Sequence, residues 1–369
     1  MENVLIILSG TLLATFMGRL IIPNILIISF RKRLFDVPDS RKVHKRPVPR
    51  LGGVMFFPVI VFTMCIMSLA RIIWGHLPNE FFTMGIVKEM LCLFAGLTLL
   101  YIIGIGDDLV GIRYRKKFVI QTISAAFFPL AGLYINNFYG LLGVYAVTPF
   151  LGVPLTMLLV VFITNAINLI DGIDGLASGI SIVALTMLGI FFALGELWIY
   201  TLLSFACVGV LIPFFIYNVF GNADRGRKIF MGDTGSLTLG YILSCLVIKY
   251  SMYTGSEIHP TDGAPIVIAF SILLVPCLDV IRVVIGRVRR HTNPFKPDKT
   301  HIHHKFLAMG FDTRRALILI QLISTLFIAS TALLIQAGVN ANIVLLADVA
   351  VWTGLNIWFS RVIRKKARH

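Results

Sequence analysis

A chain of 369 residues that is 57% hydrophobic and only 14% charged, with a mean hydropathy of +0.87, carries more apolar surface than soluble domains can bury. These values exclude a string of soluble domains and point to an all-α polytopic membrane protein. The net charge of +15 raises nucleic acid as a partner, but the placement of the basic residues argues for a membrane instead.

A bilayer span needs about 20 apolar residues. Candidates fall near 3–30, 51–73, 85–106, 118–135, 153–170, 176–194, 197–217, 234–252, 263–286, 316–336 and 341–360, which makes eleven helices. The first is too long for a signal peptide and lacks a small-residue cleavage site, so it reads as a span. With the N-terminus outside, eight basic residues in 31–50, four in 111–117, three in 218–232, nine in 282–315 and five in 361–369 face the cytoplasm. That is 29 of the 33 Lys and Arg, a positive-inside pattern that also places the C-terminus in the cytoplasm. The charge sets topology and attracts anionic headgroups or a phosphorylated substrate, with no nucleic acid involved. Residues 136–154 alternate around Gly and Pro and predict a short external hairpin. The five cysteines lie in apolar segments without paired spacing, as fillers and not as a disulfide or zinc framework. No internal repeat divides the chain, so residues 1–369 read as one integral-membrane domain.

The polar clusters fall on one side of that topology. They are 36–53, the pair Asp107–Asp108, 165–179, 217–236 and 293–311. The loops 31–50, 107–117, 218–233 and 287–315 would then form a single active-site face toward the cytoplasm. A transporter would be expected to place ionisable groups near the bilayer midplane, and these spans are nearly clean there.

Each cluster has its own chemistry. Adjacent carboxylates at a helix C-terminus oppose the macrodipole and repel each other. Their pKa values are pushed apart, leaving one suited to accept a proton and one to stay charged beside a metal. Asn165, Asn168, Asp171 and Asp174 recur every third residue, so neighbours share a helix face and offer oxygen ligands to a hard cation and a sugar nucleotide. "FMGDTGS" sets Asp233 where a helix begins, either as a cap or beside free N–H groups that bind phosphate. An acid beside phosphate calls for Mg²⁺ between them. "HIHH" (His301, His303, His304) lacks the spacing of a zinc site and, among Lys296, Lys299 and Lys305, suits a diphosphate.

With "RKVHKRPVPRLGG", "GDD", "NAINLIDGIDGLASG", "FMGDTGS" and "PFKPDKTHIHHKFLAMG" in this order, the chain resembles the polyprenyl-phosphate N-acetylhexosamine-1-phosphate transferases over most of its length. It looks like the subgroup that starts cell-surface polysaccharides on undecaprenyl phosphate, normally from UDP-N-acetylglucosamine. The peptidoglycan branch, which transfers phospho-N-acetylmuramoyl-pentapeptide, carries consecutive histidines; here Ile302 interrupts them. The resemblance implies Mg²⁺, replaceable by Mn²⁺, held by Asp233 and Asn168. It implies that Asp107 activates the lipid phosphate and that Asp108 positions it or the metal. Lys117 and the three histidines would neutralise the diphosphate, and Asp171 and Asp174 would line the nucleotide-sugar pocket. The inner loop before Asp233 is longer than in the peptidoglycan branch, leaving Asn218 and Asn222 as alternatives for one asparagine of that branch. Expected partners are undecaprenyl phosphate, a UDP-N-acetylhexosamine and lipids of the bacterial inner membrane, with a homodimer left open.

Overall fold

The computed structural model describes residues 2–35, 47–73, 83–252, 264–293 and 299–366. Residues 36–46 of the basic segment 36–53, and Lys296, lie outside the described residues. The helices are α1 (Glu2–Lys32), α2 (Phe56–Ile73), α3 (Met84–Val110), α4 (Tyr114–Ala131), α5 (Pro149–Ile170), α6 (Leu176–Leu194) and α7 (Trp198–Phe215). They continue with α8 (Gly232–Ser251), α9 (Ala264–Ile272), α10 (Leu274–Arg289), α11 (Ile302–Ala308), α12 (Thr313–Gln336) and α13 (Ala341–Lys366).

Ten of the eleven expected spans fall mainly on one helix each, and the span 263–286 falls on two, α9 and α10. Among the described residues, eight helices are long and apolar enough to cross a membrane, or nine if α9 and α10 count as one broken span bent by 76°. The two not in that set are α4 and α8. The first turns of α4 carry Arg115, Lys116 and Lys117. Helix α8 is rich in Gly, Ser and Thr and is buried from Thr234 to Ile248 without a break. A helix enclosed by other helices has no need of a lipid-compatible surface, so composition alone under-reports it.

Helix α8 is therefore the axis of the bundle, packed by α3, α5, α6 and α9. Close approach is built in at glycines. A Cβ on Gly104 of α3 would lie 2.6 Å from Thr234 Cα, and one on Gly53 would lie 2.2 Å from Gly235 Cα. Tyr241 on α8 donates to Ser124 O on α4 at 2.7 Å. At the far end of α8, Lys249 donates to Glu89 Oε1 of α3 at 2.7 Å, and Tyr200 of α7 donates to the same carboxylate. Lipid-facing positions stay apolar, as at Leu12 and Phe16 of α1 or Leu322 and Leu326 of α12.

The expected hairpin is shorter than 136–154. Phe138 N donates to Tyr145 O at 3.0 Å and Val147 N to Asn136 O at 2.7 Å, with one isolated bridge, Asn137 to Ala146. From Pro149 the chain is already helical, because proline at the first helical position loses no hydrogen bond and presets φ.

Candidate active site

The end of α3 sets the first pieces. Gly111, at φ +69°, stops the helix and donates to Asp107 O at 2.9 Å. Ile112 N then donates to Asp107 Oδ1 at 2.6 Å, so this carboxylate closes the turn into α4. Asp108 points the other way, to the start of α8. Its Oδ1 accepts from Asp233 N at 2.8 Å, and its Oδ2 accepts from Thr234 N at 3.0 Å and Thr234 Oγ1 at 2.6 Å. The free N–H groups expected there for a phosphate are thus already taken by Asp108. Capping comes from another helix, not from Asp233 itself, which lies in the first turn of α8. Gly232 permits this geometry: its φ is +69°, and a Cβ there would lie 2.6 Å from Asp108 Oδ2.

Lys117, in the first turn of α4, brings the acids together. Its Nζ donates to Asp107 Oδ2 at 3.2 Å and, in a shorter contact, to Asp233 Oδ2. Asn168 on α5 completes the group, its Nδ2 donating to Asp233 Oδ1 at 3.1 Å and to Ser236 Oγ at 2.8 Å. One turn deeper, Gln121 and Asn165 exchange amide bonds: Asn165 Nδ2 donates to Gln121 Oε1 at 2.7 Å, and Gln121 Nε2 to Asn165 Oδ1 at 3.4 Å. That pair fixes α4 against α5 directly beneath Lys117 and Asn168.

The row of Asn165, Asn168, Asp171 and Asp174 does not stay on one helix. α5 ends at Ile170, and 171–175 turns into α6 through Gly175 at φ +80°. Asn165 and Asn168 remain on the helix, and the two acids leave it. Asp174 pairs with Lys228 at 2.5 Å. Asp171 reaches solvent but stands in a crowded, acidic setting. Desolvation first, then the charges of Asp233, Asp174 and Asp108, push its carboxyl up to about 7 against the pull of Arg50. Asn218 is buried in a π-turn at the end of α7. Gly175 N donates to its Oδ1 at 2.6 Å and its Nδ2 donates to Ile229 O at 2.8 Å, so both of its ends serve the fold. Asn222 instead closes a loop turn, accepting from Asp224 N at 2.8 Å.

The three histidines are split in their contacts. His303, 3% exposed, packs on the 171–175 turn, where a Cβ on Gly172 would lie 2.2 Å from its Nε2. Burial first, then His304 and His301, pull its pKa down to about 3. As a neutral ring it offers hydrogen bonds where the sequence suggested charge. His304 lies beside it, ring centroids 4.2 Å apart. His301 turns instead to Asp279 of α10, its Nδ1 2.9 Å from Oδ2. Sequence reasoning passed over Asp279, Thr234, Ser236 and Gln121. Of these, Asp279 left a trace as a lone acid inside an apolar segment.

Among the described residues no group of three or more His, Cys, Asp or Glu is arranged to hold a metal ion. The donor set suits an ion held mainly by substrate. Asp107 and Asp233 converge on one cationic point, the Lys117 ammonium, and Mg²⁺ typically takes one or two protein carboxylates plus phosphate oxygens and water. Asn168 presents its nitrogen to Asp233, so its oxygen is the atom left to act as a ligand.

A bundle of apolar helices with acids, amides and a lysine gathered at one end defines a polytopic membrane protein with a polar site made for charged groups. Glycosyl transferase family 4 matches residues 90–251, the stretch that holds Asp107, Lys117, Asn168 and Asp233. The chain is 31% identical over 353 residues, 93% of its length and 86% of the relative's, to a Bacillus subtilis protein named "Probable undecaprenyl-phosphate N-acetylglucosaminyl 1-phosphate transferase". It is 30% identical to undecaprenyl-phosphate alpha-N-acetylglucosaminyl 1-phosphate transferases of Yersinia pestis, over 81% of this chain and 76% of the relative, and of Escherichia coli K12, over 84% and 77%. The chain belongs to this family of glycosyl transferases.

Proposed function

We propose that this protein transfers N-acetylglucosamine 1-phosphate from UDP-N-acetylglucosamine to undecaprenyl phosphate, releasing UMP. The relatives' names support the substrates. The observation that carries the reading is the meeting of Asp107, Lys117, Asn168 and Asp233, drawn from four helices, at one end of an apolar bundle. A lipid-borne phosphate and a water-borne nucleotide can meet only at such an end. The reading includes eleven spans, an outer N-terminus and a cytoplasmic site, supported by the positive-inside pattern of the sequence.

An oxygen of the lipid phosphate forms a bond to the phosphorus bearing the sugar. The anhydride bond to the other phosphorus breaks, and UMP leaves with the electron pair. Asp107 orients the attacking phosphate and holds any proton it carries, while Lys117 draws the phosphates toward the carboxylates. Asn168 fixes Asp233, and Asp171 with Asp174 faces the nucleotide sugar. Asp233 and the side-chain oxygen of Asn168 would hold Mg²⁺, which would supply charge to offset that on the phosphoryl oxygens. Purified protein given undecaprenyl phosphate, Mg²⁺ and a panel of UDP-sugars should release UMP with UDP-N-acetylglucosamine. No UMP from any of them would refute the reading.

A further inference from the structure

Helix α10 carries an acid that the transfer reaction, as derived above, does not use. Asp279 is 1% exposed within an apolar segment, a costly place for a carboxylate. Apart from one partner on its own helix, Arg282, its bonds run to the segment bearing the histidines. Its Oδ2 faces His301 Nδ1 at 2.9 Å, and Ile302 N donates to its two oxygens at 3.1 and 3.2 Å. Arg282, one turn along α10, donates to Asp279 Oδ1 at 2.6 Å and to Thr300 O at 2.7 Å. Asp279 and Arg282 together grip residues 300–302, where the chain enters α11.

Two consequences follow from hydrogen-bond chemistry. An ionised carboxylate only accepts, so His301 must carry its hydrogen on Nδ1, which leaves Nε2 as the nitrogen whose state can vary. Ile302 N opens α11, so the same carboxylate fixes where that helix starts. α11 carries His303, and His303 rests on Gly172 beside Asp171. An unbroken series of contacts therefore runs from α10 through the histidines to the 171–175 turn.

We propose that Asp279 is a positioning residue for nucleotide-sugar binding, acting through the His301 tautomer and the entry to α11. The inference rests on the transfer reading above, but its test does not require turnover. Loss of a carboxylate that orients a metal-binding histidine typically costs about 10- to 100-fold in affinity or activity, and the lower end is expected for a histidine that meets a phosphate.

The experiment uses the purified full chain and UMP as the probe, with affinity read by calorimetry. Asp279→Asn keeps an acceptor of similar size and removes the charge. UMP binding should weaken about tenfold, and in the transferase assay KM for the UDP-sugar should rise more than kcat falls. His301→Gln should show a similar loss, and the double variant should be no worse than either, because one acts through the other. Unchanged UMP affinity in folded Asp279→Asn, or losses that add in the double variant, would overturn the proposal. If the variant does not fold, ¹⁵N-histidine NMR of the unmutated protein decides: His301 must show a hydrogen on Nδ1, and an Nε2–H tautomer refutes the assignment. A protein that binds UMP in this Asp279-dependent way but never releases it from a UDP-sugar would sink the transfer reading alone.

Discussion

Thr234 gives both its backbone N–H, at 3.0 Å, and its hydroxyl, at 2.6 Å, to the same oxygen of Asp108. Adjacent acids that look alike in sequence thus have different work: Asp108 caps α8 and holds Asp233 in place, and Asp107 faces Lys117. Asp107→Asn should lose activity with its melting temperature intact. Asp108→Asn should lose both, since Asp108 accepts through both oxygens and the amide would turn an NH₂ donor toward Asp233 N or Thr234, a loss of about 0.5–2 kcal/mol on the scale of a removed cap. Thermal unfolding beside UMP release separates them, and an Asp108→Asn variant that melts like the unmutated protein would return Asp108 to a purely chemical role.

Lys117 is the cation shared by Asp107 and Asp233. Lys117→Met leaves two facing carboxylates without a protein counter-charge, a better trap for a divalent ion and a worse one for phosphate. Mn²⁺ affinity, followed by electron paramagnetic resonance, should hold or rise while the transfer rate falls by about 10² or more. Weaker Mn²⁺ binding would mean that Lys117 does not compete for the metal position.

Asp233 is expected to be indispensable for a metal-dependent reaction. UMP release should stop with a chelator and return with Mg²⁺ or Mn²⁺, and Asp233→Asn should be inactive yet folded. Full activity in the chelator would remove the metal from the mechanism.

Asp171 gives a pH test of stability. Its carboxyl rises from 3.8 to about 7 on folding. Between those values the folded chain holds a proton that the unfolded chain has released, so stability falls as pH rises through that window. Asp171→Asn removes the burden. Its melting temperature should exceed that of the unmutated protein at about pH 8 and differ little at about pH 4. Equal curves across the range would show that the acid is not crowded.

Gly172 touches His303 without room for a methyl group. Gly172→Ala should displace His303 and weaken UMP binding while the helices away from the site stay intact. Normal UMP affinity in this variant would detach the histidine segment from the 171–175 turn.

The sequence made the site legible in outline because its residues cluster at loop ends that a positive-inside topology puts together. Asp107, Lys117, Asn168 and Asp233 meet at one end of the bundle. What stayed hidden was which group satisfies which. The α8 N–H groups look free until Asp108, 125 positions earlier, is found on them. Asp279 reads as an isolated acid in a span until His301, 22 residues on, returns to it. The three-residue spacing from Asn165 to Asp174 says only that neighbours share a face, and the turn at 171–175 sends Asp174 to Lys228, a partner no local pattern reveals.

The wedged ammonium of Lys117 also bears on inhibition. A small molecule that brings an amine to Asp107 and Asp233 competes with a cation already tethered there at high effective concentration. It displaces an equivalent group and gains little. An anionic scaffold meets the opposite situation, since Lys117 can turn to it without leaving the carboxylates far behind. Compounds built on a diphosphate isostere should therefore outperform basic ones, and a library screened at this end of the bundle should enrich for acids.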